Sequence, residues 1–213
     1  MGAAARHNIL VFAKKYKDDL RSALIDTFVY LPVMISQACW ESAYGTSSAA
    51  KNKNNFFGVM DGDTTASFST AANAFANQID LFNNPDHPYI ANGVQTATTP
   101  YQQLRAIADS GYYSMTNDET LAGSNVNVVK GYTWNGYTWN GKIWAGSNFT
   151  AKQSADHYYN NLKAFIDDTL LVLPFGKINS SNYTQLTAAL TDNPIGVLAP
   201  ANAVAQTIFG IQI

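Results

Sequence analysis

The chain has 213 residues, 46% of them hydrophobic and only 13% charged, with a formal net charge of −2. Ordinary globular chains carry about 25% charged residues, so a disordered, solvating chain is excluded. No basic excess exists to hold a nucleic-acid backbone, and no nucleic-acid partner is expected. One cysteine and three histidines exclude a disulfide-stapled scaffold and a cysteine-rich metal site, so neither metal nor cofactor is expected.

Residues 4–20 place Ile9, Leu10, Phe12, Ala13 and Tyr16 at mixed i+3 and i+4 steps, which predicts an amphipathic helix. The N-terminus lacks the order of charged, apolar and small residues that marks a signal peptide. No stretch reaches the ~18 apolar residues of a membrane span. A second helix is predicted from Pro32, which suits a first turn, to Gly45, a stop signal. Residues 46–67, rich in Ser, Asn, Lys, Asp and Thr, read as loop. Helices follow over 68–83, 100–110 and 152–171, each with apolar residues on one face.

Between the last two lies the tandem repeat GYTWN-GYTWN-GKIW, residues 131–144. Asn-Gly favours tight hairpins, and Tyr, Thr, Trp and Ile favour strands, so a small β-hairpin or two successive tight turns are predicted. Trp134 and Trp139 make it either an aromatic-stapled loop or a lip on which sugar rings stack. Residues 174–213 are almost uncharged and hold one further short helix, SNYTQLTAALTD. They read either as a tail folded on its own domain or as a segment that docks a protein partner. The organisation expected is a domain over 1–173 and a C-terminal extension over 174–213.

Of fifteen carboxylates only two are glutamates, Glu41 and Glu119. Glu41 follows Met34 by seven residues and Ala38 by three, so it shares their face of an apolar helix. No Lys or Arg stands within four residues of it. Burial and the negative end of the helix both favour its protonated form. A neutral carboxylic acid is what general-acid cleavage of a glycosidic bond requires. The plainer alternative is a buried Glu satisfied by backbone or by a distant Arg. Cys39, on the same helix, reads as a small buried apolar group, Trp40 as core or groove wall, and His157 as a surface residue.

Residues 31–60, LPVMISQACWESAYGTSSAAKNKNNFFGVM, resemble the signature of the glucosaminidase family of peptidoglycan hydrolases, glycoside hydrolase family 73. The resemblance rests on Gln37, Ala38, Glu41, Ser42, Tyr44, Gly45, Ser47, Asn54, Asn55, Phe57 and Gly58 in matching order. It continues through LRAIADSGYYSM, with Gly111 and Tyr112, to SADHYYNNLKAFID. It implies a mainly α, lysozyme-like domain with a reduced β-lobe, and hydrolysis of the β-1,4 bond after N-acetylglucosamine in peptidoglycan glycan strands. It puts Glu41 at the general acid and Tyr112 at a tyrosine that positions substrate or water. Tyr44, Asn54, Asn55 and Phe57 fall at substrate-binding positions. Relatives carry a second Glu in a β-lobe after Phe-Gly, whereas here that stretch offers only Asp61 and Asp63. One of these is the base, or the substrate's acetamido group is the nucleophile, or the site is inactive.

Two rival readings remain at this point. A lytic transglycosylase shares the helix-terminal Glu but follows it with Gly-Leu-Met-Gln, which is absent here. A structural component with a hydrolase-like fold, such as a phage-particle protein, fits the uncharged C-terminal segment. The place of action expected is the cell wall, reached without an ordinary signal peptide, virion association being one route.

Overall fold

The computed structural model describes residues 2–113 and 151–192, together with strand residues 133–134, 137–139 and 144–145. It is mainly helical. In chain order the elements are α1 (Ala3–Lys15), α2 (Lys17–Leu24), α3 (Leu31–Glu41), α4 (Ser48–Lys53), β1 (Met60–Asp61), β2 (Thr64–Thr65), α5 (Ala71–Asn83) and α6 (Pro100–Asp109). Then come β3 (Thr133–Trp134), β4 (Tyr137–Trp139), β5 (Trp144–Ala145), α7 (Ala151–Val172) and α8 (Tyr183–Asp192).

The single helix expected over 4–20 is two helices, broken at Tyr16 (φ −108°, ψ 20°). The break lets Ile9, Leu10, Phe12 and Ala13 of α1 and Leu20 and Leu24 of α2 all reach one core. Residues 46–67 hold more order than their composition suggested. Ser47 caps α4 by accepting from the Ala50 N–H at 3.2 Å, and Asn54 ends it in the left-handed region. Strands β1 and β2 pair Met60 with Thr65 and Asp61 with Thr64 across a two-residue turn. Gly62 opens that turn at φ +60°, which a two-residue hairpin of this kind needs. This hairpin is the reduced β-lobe. Thr70 and Thr99 cap α5 and α6 in the same manner as Ser47.

Helix α3 lies at the centre, with Leu31 through Cys39 all buried. It packs on α7, α6 and α1. Gln103 of α6 spends its whole amide there: Oε1 accepts from the Tyr30 N–H at 2.9 Å, and Nε2 donates to the Phe28 and Val94 carbonyls at 3.1 and 3.0 Å. Helices α6 and α7 are braced by Arg105, which pairs with Asp109 on its own helix and with Asp156 at 2.6 Å across the gap. Tyr101 Oη donates to Asp167 at 2.7 Å beside it.

Residues 174–192 pack on this core instead of extending from it. The Leu31 N–H donates to the Gly176 carbonyl and the Asp26 N–H to the Ile178 carbonyl, both at 2.9 Å. Phe175, Ile178, Leu186 and Leu190 are buried with the core residues. Core continuity therefore runs past residue 173. Residues 193–213, the rest of the segment read as a docking extension, lie outside the described residues.

The tryptophan repeat forms a three-stranded antiparallel sheet, one strand more than a hairpin, with Trp134 opposite Tyr137 and Trp139 opposite Trp144. The side chains of Trp134 and Trp139 lie outside the described residues, as does Glu119.

Five rings form the floor of the domain. Phe12, Tyr16, Phe56, Phe57 and Phe75 meet at centroid distances of 4.9–6.5 Å, with Phe56 stacked on Phe75 at 5.2 Å. Gly45 presses on this cluster. A Cβ there would stand 3.2 Å from the Phe12 ring and 3.3 Å from Tyr16, and φ is +75°. Gly45→Ala should thus lose more than ~1 kcal/mol, from the left-handed backbone and from the contact together. Thermal unfolding followed by circular dichroism should show Tm lower by at least ~2–4 °C.

Candidate active site

Glu41 is the last residue of α3 and is half-buried. The helix ends four residues before the predicted stop because the chain turns left-handed immediately afterwards. Ala43, Tyr44 and Gly45 have φ of +49°, +59° and +75°. Ala and Tyr in that region each cost about 1–2 kcal/mol, so the surroundings must hold the turn. The Ser42 hydroxyl donates to the Ala38 carbonyl and accepts from the Gly45 N–H at 2.7 Å. The Tyr44 N–H donates to the Cys39 carbonyl at 2.8 Å, and the Tyr44 ring leans on Phe165 at 5.8 Å. Burial raises the Tyr44 pKa, followed by Cys39 and then Asp168. Trp40 stands edge-on to Phe165 at 5.6 Å and is one of the exposed large apolar residues.

The loop after α4 is built from within. Asn54 donates through Nδ2 to the Phe68 carbonyl at 3.0 Å. Asn55 is buried, and its amide makes four hydrogen bonds. Nδ2 donates to the Val59 and Ala66 carbonyls at 2.8 and 3.0 Å; Oδ1 accepts from the Phe57 and Val59 N–H groups at 3.3 and 3.0 Å. An amide has two donors and two acceptor sites, so none is left over. The resemblance puts Asn55 at a substrate-binding position; in the structure its amide ties the loop to the β1–β2 hairpin. Phe57 is likewise inside, against Phe56 and Phe75, and shapes the loop without presenting its ring. Asp61 and Asp63 are exposed on the hairpin.

Tyr112 follows the turn that ends α6, where Gly111 takes φ +77°. Its ring packs 5.4 Å from Tyr158 of α7 and 6.5 Å from Phe82 of α5. Tyr113 stacks on Tyr158 at 5.5 Å and on His157 at 6.0 Å, so His157 is half-buried and not on the surface. Burial raises the pKa of Tyr112, and the Glu41 charge raises it further. Tyr158 responds in the same way, to burial first, then Tyr112, then Glu41. Glu41, Tyr112 and Tyr158, far apart in sequence, are therefore electrostatic neighbours.

Two buried glutamines frame them. Gln37, one turn before Glu41, donates through Nε2 to Tyr158 Oη at 2.9 Å, while its Oε1 has no partner among the described residues. Gln78 of α5 lies against the Tyr112 hydroxyl and favours its ionised form. Its Nε2 makes no hydrogen bond of normal geometry among the described residues. An unpaired buried polar atom costs about 1–3 kcal/mol. The sequence reading named Gln37 only as part of the family signature and did not single out Tyr158 within the helix expected over 152–171. The available signal was a polar side chain four residues before Glu41 on an otherwise apolar face.

Among the described residues no three His, Cys, Asp or Glu side chains gather to hold a metal ion, and no helix is long and apolar enough to cross a membrane.

The model of the glucosaminidase family, described as mannosyl-glycoprotein endo-beta-N-acetylglucosaminidase, matches residues 17–191. The chain belongs to the glucosaminidase family. Neither the comparison with curated proteins nor that with solved structures found a match. The glucosaminidase match takes in Glu41, the loop at Asn55, Tyr112 and Tyr158. It also runs beyond residue 173, through nearly all of α8, in keeping with the burial of Leu186 and Leu190.

Asn55→Ala should cost the glucosaminidase domain at least ~2 kcal/mol, since it removes the side-chain partner of the Ala66 carbonyl and of the Phe57 and Val59 N–H groups at once, while the Val59 carbonyl keeps the Ala66 N–H; urea unfolding measures it. Burial lowers the His157 pKa, so the unfolded chain binds the proton more readily. Stability from this group is present above the unfolded value of about 6.5 and is lost as pH falls towards the folded one. His157→Gln should flatten that part of the stability–pH curve, read from urea midpoints between about pH 5 and 7.5.

Proposed function

We propose that this glucosaminidase cleaves the β-1,4 bond after N-acetylglucosamine in peptidoglycan, with Glu41 as general acid. The observation that supports it is the seat of Glu41: a helix end held by a strained turn, with the Tyr112 and Tyr158 hydroxyls within range of its charge. The turn fixes the backbone that carries Glu41, and general-acid catalysis needs a carboxyl held at the scissile bond.

Glu41 gives its proton to the glycosidic oxygen as the C1–O bond breaks. The carbonyl oxygen of the substrate's own 2-acetamido group forms the new bond to C1, giving a cyclic oxazolinium. Water then adds at C1, returns a proton to Glu41 and reopens the ring, leaving a reducing N-acetylglucosamine end. One carboxyl suffices for this route. It is favoured over an Asp base because Asp61 and Asp63 are exposed, on a hairpin with strands of only two residues each. Tyr112 positions substrate or water beside Glu41. Tyr44 and Asn54 border the cleavage site through the turn and loop they occupy.

Clearing of purified peptidoglycan by the full chain should fall at least ~100-fold in Glu41→Gln. The double variant Asp61→Asn, Asp63→Asn should stay within about threefold of the parent, as expected when neither acts as base. A large loss in the double variant moves the base to the hairpin. Anhydromuramic ends would make the protein a transglycosylase, and no clearing by the parent chain would make it a structural component.

A further inference from the structure

We propose that the exposed indole of Trp40 is a stacking platform for a sugar ring of the glycan strand, one that adjoins the bond cleaved at Glu41. The proposal deepens the proposed function and rests on the scissile bond lying at Glu41.

Helix α3 is buried from Leu31 through Cys39. It meets solvent only at its last two residues, where Trp40 is 36% exposed and Glu41 is half-buried. One peptide bond joins the two, which keeps their Cα atoms about 3.8 Å apart. The turn that follows adds exposed Ala43 and half-buried Tyr44. A glycan strand that presents a bond to Glu41 and continues beyond it must therefore pass the end of α3.

The indole has a firm seat. It stands edge-on to Phe165 of α7 at 5.6 Å, with 85° between the rings, and Phe165 is itself buried. The same Phe165 carries the Tyr44 ring at 5.8 Å, so two rings that bracket Glu41 in the chain are braced on one residue. An edge-to-face contact covers at most one face of the indole. Among the described residues Trp40 is the only Phe, Tyr or Trp that is exposed. The other exposed large apolar side chains, Val11, Met60, Ile90 and Leu171, carry no ring.

The occupant follows from this place. In β-1,4-linked N-acetylglucosamine and N-acetylmuramic acid the ring substituents are equatorial, so each sugar presents axial C–H bonds on its faces. Such a face takes indole surface out of water and meets the negative face of its π system. The indole N–H is left as a donor to a hydroxyl or acetamido oxygen. A protein partner would need about 1,000 Å² of complementary surface, whereas one ring bordered by Ala43 and Tyr44 is matched to a single sugar.

The test reads Trp40 directly. The full chain carrying Glu41→Gln, which should bind without cutting, is labelled with 15N at the indoles of its four tryptophans, and the Trp40 signal is identified by its loss in Trp40→Tyr. The probe is the tetrasaccharide of alternating N-acetylglucosamine and N-acetylmuramic acid. Its titration should move the Trp40 indole signal along a saturating curve. In the same Glu41→Gln background, calorimetry should give a Kd at least about fivefold higher for Trp40→Leu, and within about twofold for Trp40→Tyr, whose ring restores the stack. In the catalytically intact chain, Trp40→Leu should raise KM more than it lowers kcat. An unmoved Trp40 signal at saturation, a Trp40→Leu Kd within about twofold of its parent, or no binding of the tetrasaccharide overturns the proposal. If Trp40→Leu does not fold, the indole signal decides alone. A chain that binds the tetrasaccharide through Trp40 but leaves peptidoglycan intact overturns the proposed function and leaves the saccharide platform standing.

Discussion

The close approach of Gly45 to the rings of Phe12 and Tyr16 is the constraint on which the site depends. It fixes where the chain lands after α3, whose last residue is Glu41. The three left-handed residues 43–45 oppose that path, and two of them are not glycine. What holds them is a set of short-range partners: the Ser42 hydroxyl, the Cys39 carbonyl, the Phe165 ring and the aromatic floor. The same floor, through Phe56 and Phe57, anchors the loop that Asn55 ties to the β1–β2 hairpin. Helix end, loop and hairpin share one support.

On the other side of Glu41 the fold supplies hydroxyls. Tyr112 arrives from the end of α6 and Tyr158 from α7, and the Arg105 and Tyr101 contacts hold those two helices together. The half-buried Glu41 carboxyl thus has both phenols among its electrostatic neighbours.

Much of the fold was legible in the sequence. Apolar spacing located α5, α6 and α7 to within three residues at either end, because each buries one regular face. Glu41 stood out for the same reason: it breaks an apolar pattern. The Asn-Asn-Phe-Phe-Gly loop was visible as a motif, yet the direction of its side chains was not. The motif put Asn55 at a substrate-binding position, whereas its amide turns inward and bonds to the backbone of the loop itself. The break at Tyr16 and the packing of residues 174–192 also escaped periodicity, since both are decided by rings and carbonyls from remote parts of the chain.

By itself the sequence determined the helical class, the family signature and the lone glutamate in an apolar helix, because these depend on local spacing and on residue type. Only the tertiary structure decided that the helix stops at Glu41, that Tyr112 and Tyr158 meet there, and that Gln37 holds one of them. The last of these joins residues 121 apart in the chain, and no local pattern encodes such a contact.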